Sequence, residues 1–266
     1  METYTFTDER TALISGIPFR IAHFAQVDST SDYIKRRLAA GHTDGLPYAA
    51  VADVQSAGRG RIGNRAFFSP DGGLYFSVAF PQTMLACGVP RLTIAAGVAA
   101  ARAIESLCDC RISLKWVNDL LCNGKKAGGI LCESVPCGGA SSRAYIVGIG
   151  VNLSATALGG FMPEKAGALP QDVSRDRLMA AMLENLTAAY TDTSDDCVRE
   201  YNERLALRGK RVLLRRDAGQ EEVTVLGATE EGLVCRTDGG QTHTVRTCDE
   251  IVTDLYDAVR RSVRNT

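Results

Sequence analysis

The stretch from Ile112 to Leu153 constrains the fold more than any other part of the sequence, because it predicts consecutive strands joined by tight turns. Apolar segments flank Asn123-Gly124, which is the strongest short signal for a β-hairpin. A second turn, Cys137 to Ser142, leads into another apolar segment that ends at Leu153. Strands linked this closely are antiparallel neighbours, so we expect a sheet that contains antiparallel pairs.

Helical and strand patterns alternate around this stretch and predict a mixed architecture. Further strands are predicted over Phe19 to Val27, Pro47 to Val54 and Gly73 to Phe80. Helices are predicted from Ser29 or Thr30 to Ala40, Pro90 to Leu107, Arg175 to Tyr190 and Asp196 to Leu207. Beyond Gly209, short strands alternate with Gly-containing turns and predict a small barrel, followed by a terminal helix from Asp254 to Arg264. We therefore expect two domains, residues 1–207 and 208–266.

Composition excludes several classes of protein. The chain is 45% apolar with a net charge of -1, which allows a full core and argues against a DNA-binding protein. No apolar run approaches the ~20 residues that cross a bilayer, and the polar start, with Asp8 and Glu9, is unlike a signal peptide. We therefore expect a cytoplasmic protein with no membrane partner. The nine cysteines form no Cys-x-x-Cys pair, which predicts small buried side chains and no metal ligands.

The segment from Gln55 to Gly72 is predicted to be a functional loop. It contains few apolar residues but is rich in two other types: Gly58, Gly60 and Gly63, and Arg59, Arg61 and Arg65. Glycine allows the backbone to approach a ligand, and the guanidinium fork binds carboxylate or phosphate. The pattern predicts an anionic ligand, with a solvated loop as the alternative. We expect the three arginines to repel one another until the ligand arrives, so that the loop closes only over bound ligand.

Two further clusters carry polar groups or glycines within apolar strands. In the first, Lys115-Trp116-Val117-Asn118-Asp119 precedes Gly124-Lys125-Lys126-Ala127-Gly128-Gly129-Ile130. It predicts a ligand site at Lys126, with a turn and an exposed hairpin edge as the alternative. In the second, Val147-Gly148-Ile149-Gly150-Val151-Asn152, alternate glycines clear one strand face for a backbone or a flat ligand, and Asn152 would bond a base edge or a turn.

The order and spacing of these clusters resemble the catalytic domain of biotin protein ligases, over roughly Phe24 to Val252. The motifs that carry the resemblance are Asp28-Ser29-Thr30, Gln55, the Gly58 to Gly63 segment, Ser69-Pro70, Gly73-Leu74-Tyr75-Phe76-Ser77, Lys115-Trp116-x-Asn118-Asp119, Gly124-Lys125-Lys126-x-Gly128-Gly129-Ile130-Leu131-x-Glu133 and Gly148-Ile149-Gly150-Val151-Asn152. Three features depart from the family pattern. Val117 stands where proline is usual, Ser31 stands where asparagine is common, and the loop before Phe67 is one residue longer.

The resemblance implies an α+β fold, with a class II synthetase-like mixed sheet and helices followed by a small C-terminal SH3-like barrel. It also implies an ATP- and Mg²⁺-dependent ligase that forms biotinyl-5′-AMP. The biotinyl group then passes to a lysine of the biotin carboxyl carrier domain of acetyl-CoA carboxylase or another biotin-dependent enzyme. Some members carry an N-terminal repressor domain. Only some 28 residues precede Asp28-Ser29-Thr30, so we expect the stand-alone form.

The resemblance further implies roles for individual residues. Ser29, Thr30 and Gln55 would bind the ureido head of biotin. The carboxylate of biotin would be bound by Arg59, Gly60 and Arg61. Lys126 would be the catalytic cation, assisted by Arg61, and Asp119 would orient the acceptor lysine or a Mg²⁺-bound water. The nucleotide would contact Arg59, Arg61, Asn118, Lys126, Asn152 and an aromatic ring, either Phe67 or Phe68. Gly129 and Gly148 would line the pocket floor.

Three other functions remain open. A lipoate or octanoate ligase shares this architecture, although the polar head site of Ser29, Thr30 and Gln55 favours biotin. An RNA-binding module could use the loop arginines together with Phe67 and Phe68, although the near-neutral charge disfavours it. A biotin sensor without catalysis is the third.

Overall fold

The computed structural model describes residues 4–61, 67–84, 89–139, 142–154, 166–192, 194–216, 219–246 and 250–253. These residues form thirteen strands and four α-helices. The strands are β1 Thr5–Ile14, β2 Ile17–Val27, β3 Tyr48–Gln55, β4 Gly73–Pro81, β5 Ile112–Lys115, β6 Asp119–Cys122, β7 Lys125–Pro136, β8 Arg143–Asn152, β9 Arg211–Arg216, β10 Gly219–Thr229, β11 Gly232–Thr237, β12 Thr242–Val245 and β13 Glu250–Val252. The helices are α1 Thr30–Ala39, α2 Val89–Glu105, α3 Arg175–Thr191 and α4 Asp196–Arg204.

The larger sheet has eight strands in the order β1-β2-β3-β4-β8-β7-β6-β5. Only the β2–β3 pair is parallel among the pairs described, so the sheet is mixed, as predicted. The predicted hairpin is confirmed between β6 and β7. Asn123 and Gly124 both have positive φ there, at 50° and 74°, as the favoured two-residue turn requires.

Helices cover both faces of this sheet but leave part of one face open. Alternate apolar side chains such as Phe76, Val78 and Ile149 are buried in one cluster with α2 and α3. On the opposite face, α1 buries Ile34 and Leu38 against a smaller cluster. On this face the middle strands β8 and β7 also carry the glycines singled out above, of which Gly129 and Gly148 are partly buried.

The edge strand β1 was not predicted. Its ten residues are nearly all exposed and include the charged run Asp8-Glu9-Arg10. Its pairing with β2 therefore has no hydrophobic signature in the sequence, and charged residues are typical of an edge that must not pair further.

The prediction of a small barrel after Gly209 is corrected in part. Residues 211–253 form an antiparallel sheet in the order β12-β11-β10-β9-β13. The two edge strands are β12, which pairs with β11, and β13, which pairs with β9 over three positions. Within the described residues β12 and β13 do not pair with each other, so the sheet is open. Its apolar side chains belong to the same buried cluster as those of the larger sheet. The predicted helix from Asp254 to Arg264 lies outside the described residues.

The cysteines that the structure describes are small side chains of the interior. Five are buried and two are partly buried: Cys108, Cys122, Cys137, Cys197 and Cys235, and Cys110 and Cys132. Burial raises the pKa of the Cys110 thiol to about 11. Cys87 and Cys248 lie outside the described residues. Among the helices described here, none is long and apolar enough to span a bilayer.

An ion-pair network joins α2 to α4. The Arg204 guanidinium donates to Glu105 Oε1 and Oε2 at 2.6 and 2.9 Å and to Glu200 Oε1 at 2.9 Å. Burial alone would raise the pKa of Glu105. The hydrogen bonds from Arg204 and from the Ile112 backbone N–H outweigh burial and hold that pKa below its usual value.

We expect Glu105→Gln to lower the free energy of unfolding at pH 7 by about 1–3 kcal/mol, because the partly buried Arg204 guanidinium loses one of its two carboxylate partners and keeps only Glu200. A carboxyl whose pKa is lowered by folding stabilises the fold above its ordinary pKa of 4.5, and that contribution is lost as the pH falls through the folded-state pKa. The gap between variant and wild type should therefore shrink as the pH falls below 4.5. Urea unfolding at several pH values measures it. Glu231→Gln, in an exposed pair, is the control and should change little.

Candidate functional site

Cross-strand register builds the floor of a pocket from residues far apart in the sequence. On β8, Gly148 lies between Ser77 of β4 and Leu131 of β7, and Gly150 lies between Tyr75 and Gly129. Positions two apart on a strand share a face, so these two rows lie side by side. The glycines remove side chains from the floor and leave room above it.

A cluster of neutral hydrogen-bonding groups lies at one end of this floor. The Thr30 hydroxyl is 2.8 Å from Ser77 Oγ, and Ser31 Oγ is 2.7 Å from the same atom. The Thr30 N–H and hydroxyl also donate to Gln55 Oε1, at 2.9 and 3.1 Å. All three hydroxyl groups are buried. The cluster offers donors and acceptors without charge, which suits a neutral polar group.

The start of α1 presents these hydroxyls to the pocket. Ser29 is the N-cap, as predicted, and accepts from the Asp32 N–H at 3.4 Å. The Arg36 guanidinium grips the Asp28 carboxylate in a fork of 2.7 and 2.8 Å and, with the Ser29 N–H, holds the pKa of Asp28 below its usual range. Asp28 is thus a structural anchor that fixes where the helix begins.

The two arginines described in the loop have different surroundings. Arg59 lines the pocket with Gly60, and its guanidinium already pairs with the Asp32 carboxylate. The expectation that the loop arginines lack an anion until a ligand arrives is therefore wrong for Arg59. Arg61 is not among the residues that line the pocket. Burial and the Asp119 carboxylate raise the pKa of the Tyr201 hydroxyl, and the positive charge of Arg61 opposes that rise. Gly63 and Arg65 lie outside the described residues.

Phe67 stands over the glycine floor. A Cβ atom on Gly129 would lie 3.5 Å from the Phe67 ring, and one on Gly150 would overlap it. The ring also packs edge-on against Tyr75, at 6.2 Å between centroids. The space cleared by the glycines thus holds an aromatic ring at the pocket wall, whereas Phe68 is 52% exposed.

The predicted cation Lys126 lies at the other end of the floor. Its Nζ is 2.6 Å from Asp119 Oδ1, and Asp119 lies opposite Gly129 across the β6–β7 pair. The turn before Asp119 is held by Tyr201, whose hydroxyl donates to the Val117 carbonyl at 3.4 Å. The Trp116–Val117 peptide bond is cis. The pocket therefore has a neutral end and a cationic end.

The two predicted nucleotide-binding asparagines both hold backbone in this structure. Asn118 lines the pocket and donates through Nδ2 to the Ile130 carbonyl at 3.1 Å. Asn152 is buried and donates to the Gly167 carbonyl at 2.8 Å, so it bonds a neighbouring segment. It does not line the pocket.

The pocket has a cavity volume of about 50 Å³, well below the roughly 300–1,000 Å³ usual for small-molecule sites. Of the predicted residues, it brings together Ser29, Thr30, Gln55, Arg59, Gly60, Phe67, Asn118, Lys126, Gly129 and Gly148. Three other residues at the site were given no role by the sequence patterns. These are Ser31 and Ser77, which complete the hydroxyl cluster, and Asp32, whose only signal is an acidic residue in the first turn of a helix.

Comparison with known proteins agrees with the motifs. Residues 23–152 match the model of the biotin/lipoate A/B protein ligase family. The biotin--[acetyl-CoA-carboxylase] ligase of Mycobacterium tuberculosis is 27% identical over 85% of this chain and 86% of its own. The bifunctional ligase/repressor BirA of Bacillus subtilis is 39% identical over 105 residues, which are 39% of this chain. That alignment spans about a third of the relative, 32% of its length.

The fold also matches solved structures. Biotin protein ligase from Aquifex aeolicus, in complex with biotin and ATP, superposes with a TM-score of 0.71 over 87% of this chain and 97% of that one. At 24% identity this likeness concerns the fold. The predicted resemblance is confirmed, since residues 23–152 carry a biotin/lipoate A/B protein ligase family domain.

Proposed function

We propose that this protein activates biotin with ATP and transfers the biotinyl group to a lysine of a biotin carboxyl carrier domain; two of its relatives are named biotin--[acetyl-CoA-carboxylase] ligases. The observation that carries the proposal is the two-ended pocket. The Thr30, Ser77 and Gln55 cluster fits a neutral ureido group, and Arg59 and Lys126 fit a carboxylate. Ser29 and Gly60 complete the same wall.

In the proposed first step, a carboxylate oxygen of biotin attacks the α-phosphorus of ATP, and the bond to the β-phosphate oxygen breaks to release pyrophosphate. Negative charge concentrates where the carboxylate meets the phosphate. Fixed cations there stabilise the transition state without reorganising, which is the role proposed for Lys126 and for Arg59. Arg61 and Asn152 would contact the nucleotide only after a change from the arrangement described above.

In the second step, the uncharged ε-amine of the acceptor lysine attacks the acyl carbon, the bond to AMP breaks, and the amine loses a proton. Asp119 is proposed to orient this amine, because its carboxylate lies beside Lys126. The glycine floor and the Phe67 ring would exclude water from the anhydride, and the adenine would stack against Phe67.

Mg²⁺ is proposed to enter as its complex with ATP. The described residues contain no group of three His, Cys, Asp or Glu that could hold a metal by themselves. Mg²⁺ is commonly held by one or two carboxylates together with substrate phosphates, and Asp119 fits the protein's share. When bound, the ion would neutralise phosphate charge.

Biotin-dependent exchange of radiolabelled pyrophosphate into ATP tests the proposal on the purified chain. We expect exchange with biotin and little with lipoate or octanoate at equal concentration, and a biotinyl group on the lysine of an added carrier domain. Exchange with lipoate but not biotin would favour the lipoate-type ligase. Biotin binding without exchange would identify a sensor. RNA binding that weakens with salt, in the absence of exchange, would favour the RNA-binding alternative.

A further inference from the structure

Arg175, the first residue of α3, contacts three groups from two separate segments of the chain. Its Nη1 donates to Asp53 Oδ1 at 2.5 Å, its Nε donates to the Gly73 carbonyl at 2.8 Å, and its Nη2 pairs with the Asp71 carboxylate. A guanidinium is planar and holds its donors in a fixed fork. The three accepting groups are therefore kept at a fixed spacing.

These three groups lie at or beside the two ends of the arginine loop, residues 56–72. Asp53 lies two residues before Gln55 at the end of β3, whereas Asp71 and Gly73 lie where β4 begins. On the pocket side the same two ends meet through the Gln55 N–H and the Ser69 carbonyl, at 3.1 Å. Arg175 thus joins the loop ends a second time, from the opposite side of the sheet edge.

The position of the loop ends determines the position of the pocket wall. The Gln55 side chain donates to Ser69 Oγ at 3.0 Å, and Ser69 Oγ donates to the Phe67 carbonyl at 3.0 Å. The Phe67 N–H in turn donates to the Gly58 carbonyl at 2.8 Å. A shift between the loop ends would be passed through this chain of hydrogen bonds to the head site at Gln55 and to the Phe67 ring.

We infer that Arg175 is a positioning residue for biotin binding, acting through the described ends of the arginine loop; the inference rests on the proposed function. The Asp53 pair is partly buried and contributes to stability, but the Asp71 contact is not explained in that way, because the Asp71 side chain is 77% exposed and an exposed pair contributes little to stability. The guanidinium fork of Arg175 fixes the relative positions of Asp53, Asp71 and the Gly73 carbonyl. Lysine has the same charge but is a single point donor and cannot join three groups.

The test compares Arg175→Met and Arg175→Lys with Arg10→Met. Arg10 and Arg175 both line a second cavity, separate from the biotin pocket, between α3 and the larger sheet, but the ion pair of Arg10 is with Asp176, at 3.6 Å. We expect both Arg175 variants to raise the KM for biotin about tenfold in pyrophosphate exchange, with kcat changed much less. Arg10→Met should match wild type. In the ligand-free proteins, hydrogen exchange at the amides of Gln55 and Phe67 should be several-fold faster in the Arg175 variants.

Asp71→Asn provides a second variant that removes one contact of the fork at an exposed position. It should shift KM and amide exchange in the same direction by a smaller factor. A lower melting temperature with unchanged KM and unchanged exchange at Gln55 and Phe67 would overturn the inference, as would full recovery of both by lysine. If wild type shows no biotin-dependent exchange, the proposed function fails. The amide exchange rates, which need no ligand, then still decide whether Arg175 holds the loop ends.

Discussion

Lys126→Ala is expected to lower kcat for biotin-dependent pyrophosphate exchange by about 100- to 1,000-fold, or about 2.7–4 kcal/mol in the barrier. The KM for biotin should change far less, because the hydroxyl and amide groups that fit the biotin head lie at the other end of the pocket. The Lys126 charge is needed most when the carboxylate and the α-phosphate come together. With a neutral alanine at position 126, only Arg59 and Mg²⁺ would remain to stabilise the negative charge of the transition state.

Lys125→Ala is the matched control. Lys125 has the same side chain and the neighbouring position on β7, but it is exposed and does not line the pocket. Its loss should leave kcat close to that of wild type. Asp119→Asn removes the carboxylate that lies 2.6 Å from Lys126 Nζ but keeps the lysine. It therefore measures the contribution of the Asp119 charge separately from that of Lys126. Adenylate formation by Lys126→Ala within about threefold of wild type would contradict the assigned role, since one preorganised contact is normally worth much more.

Most of the larger sheet could be predicted because its strands carry their own local signals. The hairpin at Asn123-Gly124 and the apolar strands around it appear in the structure within a few residues of the predicted bounds. The edge strand β1 could not be predicted, because its stability depends on pairing with β2 and not on burial of its own side chains. Whether the second sheet closes into a barrel likewise depends on pairing between strands that are far apart in the sequence, which local patterns do not encode.

The candidate site shows the same division. Glycines at alternate positions of β8 predict an open floor without any knowledge of the neighbouring strands. The partners of the charged side chains could not be predicted in this way. Arg59 meets Asp32 across 27 positions, and Arg175 meets Asp53 across 122. Such contacts can be predicted only when the topology is known, which is why the sequence pattern did not single out Asp32 or Arg175.

Gly148→Ala is expected to lower kcat/KM for biotin by roughly 10- to 200-fold, the usual effect of one extra carbon in a fitted pocket. A Cβ atom on Gly148 would lie 2.8 Å from Ser31 Oγ and 3.2 Å from Ser77 Oγ. Both serines are buried and bonded to each other at 2.7 Å, so neither can yield without losing that bond. The added methyl group must therefore displace the hydroxyl pair or occupy the space proposed for the biotin head.

The loss should appear in KM, because Lys126 at the other end of the floor is unchanged and bound biotin can still react. This is the opposite of the pattern expected for Lys126→Ala, so the two variants together distinguish binding from catalysis. Gly139→Ala is the control, since a Cβ there would meet nothing within 4 Å. Adding Ser31→Ala to Gly148→Ala removes the nearest obstructing oxygen and should recover part of the loss. A KM for folded Gly148→Ala within about threefold of wild type would mean that the biotin head does not bind at this end of the pocket.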